Sequence, residues 1–387
     1  MRPFFITAIA TVAFLGVTVQ GQRQVFPGAA TAPFSAATKA DGLIYVAGTL
    51  ATDGDIKVQT KKVLDDIGAV LAKAGSSLGN VAAAHVYVKN AADVAAMTEV
   101  WRTVFPKDPP TRTTIVADLV RPTALVEISM VAIPTGGERV VVTPAGWSTA
   151  NPYSYAIKSG DTLFLSGMIS RSTTDNTPIA GDMAAQTKTV MANAGELLKA
   201  AGFTFEDVVA TKIAITDVTM FQAMNANYSP NFPKNPPARA TVVAGLPGPQ
   251  YLVEMTFTAN KKPKEAFTTP AADGSPGKPS PILSSAIKVG NRLYVSGLLG
   301  NNADNKGNIE AQTKELMARV ERTMKAAGYG WADVVDAVAY ITDLNNFEGM
   351  NTGYRSVITK DFPARATVKV GLVGADGLVE IMFVASK

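Results

Sequence analysis

Three arginines and three glutamates stand at fixed intervals in this chain, and the two side chains together can bind and process a small carboxylate-bearing molecule. Arg112, Arg239 and Arg365 each lie 53 residues beyond the glutamine of a Gln-Thr pair (Gln59-Thr60, Gln186-Thr187, Gln312-Thr313). Glu127, Glu254 and Glu380 each follow their arginine by 15 residues. An arginine fork grips a carboxylate through two parallel hydrogen bonds, a geometry that lysine lacks. A neighbouring glutamate, or a water it orients, can manage the proton transfers of a hydrolysis. The plainer reading of each pair is an ion pair that bridges a subunit interface.

Such a repeat makes the chain a triplicated domain, and its 387 residues suit several cores better than one. With 47% apolar and 18% charged residues, each unit has enough apolar side chain to bury its own core. The net charge of +4 is dispersed without a basic run, so charge gives no support to nucleic-acid binding.

The same elements recur in every unit. An apolar strand ends at a glycine: Leu43 to Gly48, Leu163 to Gly167, Leu293 to Gly297. Continuous apolar runs imply burial on both faces. The segment after each Gln-Thr has apolar residues spaced by three and four (Val63, Leu64, Ile67, Val70, Leu71 in the first copy) and closes on Gly75, Gly202 or Gly328. That pattern predicts an amphipathic helix with a left-handed glycine terminator.

A further strand follows, and then Asn90, Asp217 or Asp343 as the predicted N-cap of a second helix that runs toward Trp101, Tyr228 or Tyr354. Two strands close each unit, the arginine opening the first and the glutamate lying inside the second. A carboxylate within an apolar strand needs a partner, and the expectation is that the arginine supplies it from an adjacent antiparallel strand, pairing Arg239 with Glu254.

Residues 1–21 stand outside the repeats. Met1-Arg2 followed by the apolar stretch Phe4 to Val19 predicts a secretory signal peptide cleaved after Gly21, and hence an exported protein. The alternative, a membrane anchor, requires about 20 apolar residues. The units are assigned as 22–136, 137–262 and 263–387, with connectors at Pro134 to Gly137 and Lys261 to Pro281. Absence of cysteine removes disulfides and thiol chemistry. His85, the single histidine, sits on an apolar strand and is read as a packed or interface residue. Gly297 to Gly300 lacks the spacing of a phosphate loop. Asp53-Gly54 and Gly307-Asn308 are read as hairpin turns, and the Met and aromatic helix positions as core.

Together the Ser-Gly strand ends, Gln-Thr helices, Ala-Gly, Thr-Asp and Met-Asn pairs, the segment Phe232 to Val242 and Leu252-Val253-Glu254 resemble the Rid family of reactive-intermediate deaminases (RidA/YjgF), also called endoribonuclease L-PSP. The resemblance runs through all three units from about Val25 onward. It implies an α+β, chorismate-mutase-like unit that trimerises, with sites in the clefts between subunits. Here the three linked units would form an intramolecular pseudo-trimer that acts as a monomer.

The implied chemistry is hydrolysis of imines and enamines to 2-keto acids and ammonium, with no metal or organic cofactor. Arg239 and Glu254 are carried over as the catalytic candidates. Tyr153, Ser166, Gly167 and Asn225 in the second unit are carried over as substrate-binding, as are Ser296, Asn351, Arg365 and Glu380 in the third and Arg112 and Glu127 in the first. Departures are Phe34, Ala47 and Thr98 in the first unit, at the places of tyrosine, serine and asparagine, and Leu283 at the tyrosine's place in the third. If each cleft mixes two units, the intact middle set is divided between two sites. The partner is therefore a small carboxylate-bearing imine or enamine, with no nucleic acid and no stable membrane insertion once the leader is removed. A non-catalytic carboxylate-binding protein is the alternative. Ribonuclease activity lacks a histidine pair, a metal-ligand cluster or a basic groove.

Overall fold

The computed structural model describes residues 23–387; the leader expected over 1–21 lies outside the described residues. Each unit is a mixed sheet backed by two helices, α1 (Ile56–Lys73) and α2 (Val94–Val104), α3 (Met183–Ala200) and α4 (Phe221–Tyr228), α5 (Ile309–Ala326) and α6 (Phe347–Arg355). No helix among the described residues is long and apolar enough to cross a membrane.

The Gln-Thr pairs lie inside α1, α3 and α5 rather than before them, because Asp55, Asp182 and Asn308 cap these helices four residues before the pairs begin. Each glutamine acts as a pin. Gln186 donates to the carbonyls of Gly181 (3.1 Å) and Gln250 (2.9 Å) and accepts the Leu252 N–H (2.9 Å). Gln59 holds Gly54, Thr123 and Leu125 in the same way, and Gln312 holds Asp376 and Leu378. The pin fixes the backbone that leads into the glutamate strand.

Asp217 and Asp343 do cap a helical segment, but it is a short 3-10 turn that feeds α4 or α6, and Asn90 makes no capping bond. Asp53-Gly54 and Gly307-Asn308 are not hairpins; both sit between a strand and the helix it feeds. Part of the connector Lys261 to Pro281 is a strand, Lys264–Phe267, which pairs antiparallel with Ala286–Val289.

Sheet order corrects one expectation. In the second unit the arginine strand Ala238–Val243 pairs parallel with Val208–Ile215, which pairs antiparallel with the glutamate strand Val253–Asn260. A whole strand therefore separates Arg239 from Glu254. The other units repeat this order.

Beyond each arginine strand the chain crosses to a neighbouring unit and extends its sheet. Asp118–Leu119 of unit 1 pairs with the arginine strand of unit 3, Gly371–Leu372 of unit 3 pairs with that of unit 2, and Gly245 of unit 2 bridges to Val116 of unit 1. Three such links close a ring, the intramolecular pseudo-trimer. Each unit buries its own core between helices and sheet, and a further apolar cluster joins residues of all three, among them Tyr87, Val242 and Val368.

The strands Val81–Val88, Val208–Ile215 and Val334–Ile341 line the pseudo-threefold axis around a cavity of about 70 Å³. There His85 Nε2 lies 3.1 Å from Lys212 Nζ, with Asp336 lining the same cavity. Burial lowers the pKa of His85, and nearby Lys212 lowers it further. The lone histidine thus sits at the interface of the units.

Candidate active site

Ring closure places each arginine against the glutamate of the next unit, so Arg112 meets Glu254, Arg239 meets Glu380 and Arg365 meets Glu127. Arg239 and Glu254, expected as one pair, belong to two different clefts. In each cleft the glutamate accepts from a backbone N–H of the facing arginine strand. Thr114 N–H reaches Glu254 Oε1 (3.2 Å) and Thr367 N–H reaches Glu127 Oε1 (3.3 Å). Thr241 serves Glu380.

These carboxyls are buried, and burial raises the pKa of Glu127, Glu254 and Glu380 to about 8 in each case, against the opposing pull of the backbone donor and the arginine. Burial thus favours their neutral form. Burial also lowers the pKa of Arg239 and Arg365, and that of Arg112 to about 10, which leaves all three cationic. Among the described residues, Arg112 Nη1, Arg239 Nε, Arg365 Nε, Glu127 Oε2 and Glu254 Oε2 find no hydrogen-bond partner although buried. Buried polar atoms without partners are costly; here they belong to both facing groups in the clefts between units 1 and 2 and between units 3 and 1, and to the arginine in that between units 2 and 3.

The glycine of each Ser-Gly or Ala-Gly pair makes room for the carboxyl. A Cβ at Gly48, Gly167 or Gly297 would collide with Oε1 of Glu127, Glu254 or Glu380 respectively. Gly167 also donates from its backbone to the Arg112 carbonyl (3.1 Å).

The preceding serine holds the arginine strand. Ser166 Oγ accepts from Arg112 N–H (2.9 Å) and donates to Ser154 O (2.7 Å); Ser296 Oγ accepts from Arg239 N–H (2.8 Å) and donates to Ser284 O (2.6 Å). Both hydroxyls are thereby committed to the backbone across the unit boundary, a positioning role. Ala47 offers Arg365 no such acceptor.

Helices supply the rest of the arginine's surroundings. Asn225 Oδ1 on α4 accepts from Arg239 Nη1 (2.8 Å), and Asn351 Oδ1 on α6 accepts from Arg365 Nη2 (2.6 Å). Thr98 stands at the corresponding place on α2. Aromatic rings that sequence reasoning assigned to the core also flank each guanidinium. The carbon Cζ lies 5.3 Å from the Trp101 ring centre for Arg112, 5.1 Å from that of Tyr228 for Arg239 and 4.7 Å from that of Tyr354 for Arg365. A signal for them was present: each aromatic precedes its arginine by 11 residues. Phe34 packs against Arg365 (5.7 Å), and Tyr153 against Arg112 (5.6 Å).

The expected site residues thus sort into three unequal sets. Arg112, Tyr153, Ser166, Gly167 and Glu254 share the cleft between units 1 and 2; Arg239, Asn225, Ser296 and Glu380 share that between units 2 and 3. Arg365, Asn351 and Glu127 share that between units 3 and 1. The complete set of the middle unit is divided. In front of Asn225 opens a cavity of about 690 Å³, lined by Phe232, Pro236, Leu283 and Ser284.

Comparison with known proteins bears on the family and the fold. The family model described as Endoribonuclease L-PSP matches residues 26–134, 144–261 and 278–387. A RutC family protein of Sulfurisphaera tokodaii is 39% identical over 114 residues, 28% of this chain and 91% of its own length. The 3-aminoacrylate deaminase RutC of Acinetobacter baylyi is 39% identical over 109 residues, 26% of this chain and 86% of its own. A solved chorismatase shares the fold, with a TM-score of 0.51 and 15% identity over 79% of this chain and 93% of its own. With matches that span nearly all of its described length, the chain belongs to the Endoribonuclease L-PSP family, three times over.

Proposed function

We propose that the chain hydrolyses reactive imines and enamines that carry a carboxylate, releasing 2-keto acids and ammonium, and that the cleft between units 2 and 3 is its principal site. The observation that carries this reading is the opposition of a fixed, partly unpartnered guanidinium, Arg239, to a buried carboxyl, Glu380, whose pKa burial pushes up to about 8, beside an open cavity. Of the relatives, the one named 3-aminoacrylate deaminase supports the same class of chemistry.

In this reading Arg239, braced by Asn225 and the Tyr228 ring, holds the substrate carboxylate. Glu380 gives its proton to the enamine carbon or imine nitrogen. The resulting carboxylate takes a proton from the water that attacks the imine carbon and returns it to the departing nitrogen. The C–N bond breaks as the new hydroxyl returns its proton to the Glu380 carboxylate and becomes the C=O, and ammonia leaves to be protonated by solvent. A carboxyl whose pKa is near the working pH suits both directions of that transfer.

The test follows ammonium and keto-acid release from 2-iminopropanoate generated in place by an amino-acid oxidase. Acceleration that disappears in Arg239→Ala supports the reading. A rate no faster than the spontaneous one favours carboxylate binding without turnover. The cleft between units 3 and 1 already fits that second role, since Phe34 and Ala47 occupy the places of tyrosine and serine.

A further inference from the structure

One cleft carries a second arginine for which the proposed reaction has no use. Arg171 lies four residues beyond Gly167, where the other units have Thr52 and Asn301. Its guanidinium donates to the Tyr153 hydroxyl, and its Cζ lies 5.4 Å from the Tyr153 ring centre. Arg112, from the neighbouring unit, places its own Cζ 5.6 Å from the same ring. Two guanidiniums from different units thus flank one phenol.

Among the described residues neither guanidinium forms a salt bridge. The carboxyl that faces them is Glu254, which is buried and which burial pushes toward its neutral form. A third arginine, Arg102, acts on Arg112 from the rim, where its own guanidinium donates to Ala150 O (2.9 Å). Arg112 is only 8% exposed and its Nη1 is unpartnered, whereas Arg171 is half-buried. Like charges held this close in a partly buried site raise the free energy of the protein unless an anion bridges them. The cleft between units 2 and 3 differs at each of these places, with Leu283 for Tyr153, Asn301 for Arg171 and Ser229 for Arg102.

We propose that the cleft between units 1 and 2 is a binding site for small dicarboxylates, one carboxylate held by Arg112 and the other by Arg171, with Tyr153 between them. This inference rests on reading the clefts as carboxylate sites and does not require turnover. Fusion of the units makes such divergence available, because a cleft in a chain of unequal repeats can change without changing the other two.

The experiment is calorimetric titration of the full chain with succinate and, separately, with butanoate. Succinate is expected to fill one high-affinity site per chain and to bind there at least about tenfold more tightly than butanoate, each charged fork being worth about that factor. The preference is expected to fall to within about twofold in Arg171→Gln and in Arg171→Asn, and to persist in Arg239→Ala. Circular dichroism checks that each variant is folded, and the asparagine is the side chain that unit 3 tolerates at this place. Equal affinities in the unmodified chain, a preference that survives both Arg171 substitutions, or its loss in Arg239→Ala would each overturn the proposal. A succinate preference in a chain that fails to accelerate imine hydrolysis would count against the deaminase reading alone, and acceleration without the preference against this inference alone.

Discussion

Glu380 of the third unit faces Arg239 of the second, its carboxyl receiving the Thr241 backbone while Ser296 of the same third unit accepts from the Arg239 N–H (2.8 Å). Both halves of this pair depend on ring closure, because the two side chains come from different repeats. Loss of either should therefore damage one cleft without unfolding a unit. Arg239→Ala is expected to lower kcat/KM for 2-iminopropanoate by at least about a hundredfold, and Glu380→Gln to act mainly on kcat, as measured by keto-acid release. An Arg112→Ala variant that lost as much would place the main site in the other cleft.

The pH dependence follows from the same carboxyl. Glu380 donates while protonated, so activity is expected to fall as pH rises through about 8. An initial-rate profile from pH 6 to 9.5 checks this; a rise across that window would assign the limb to another group.

Stability carries a parallel signature. The three glutamates have folded pKa values raised to about 8 from 4.5. Their contribution is fully present below the unfolded value and is lost as pH rises toward the folded one. Denaturant midpoints are expected to decline between about pH 6.5 and pH 8, and Glu254→Gln should flatten that slope. Protonation of His85, whose pKa burial lowers, acts in the opposite sense below pH 6.5, so the comparison belongs above it.

Gly297→Ala tests the space reserved for the carboxyl. The added methyl meets Glu380 Oε1, so a loss of about 1–3 kcal/mol is expected together with loss of activity in that cleft. Gly307→Ala lies in a turn where a Cβ meets no atom but the φ is +73°, and should cost stability through backbone strain without a specific loss of activity. Thermal unfolding and turnover of both variants separate the two causes.

The ring also predicts an assembly state. The strand links among units 1, 2 and 3 already satisfy one another within the chain. Light scattering should give the mass of one chain. A mass near three chains would show that the units close their ring between molecules.

Much of this protein was legible in its sequence. Spacing alone established three repeats, two helices per unit and the recurring arginine and glutamate, because periodicity and turn chemistry are local properties written in neighbouring residues; the glycine beside them entered through the family resemblance. The split of Tyr153, Ser166 and Asn225 between two clefts was also foreseeable from the expectation of mixed sites.

Tertiary structure decided the pairing. Arg239 and Glu254 are 15 residues apart, yet the strand Val208–Ile215, earlier in the chain, inserts between their strands. Which strand enters between two others is a non-local choice that no spacing within the segment encodes. The aromatic supports of the arginines and the convergence of Arg112 and Arg171 on Tyr153 arise in the same way, from helix packing and from contact between units. Sequence determined the chemical groups because side-chain chemistry travels with the residue; only the closed ring determined which of them meet, because each site lies where two separately folded units touch.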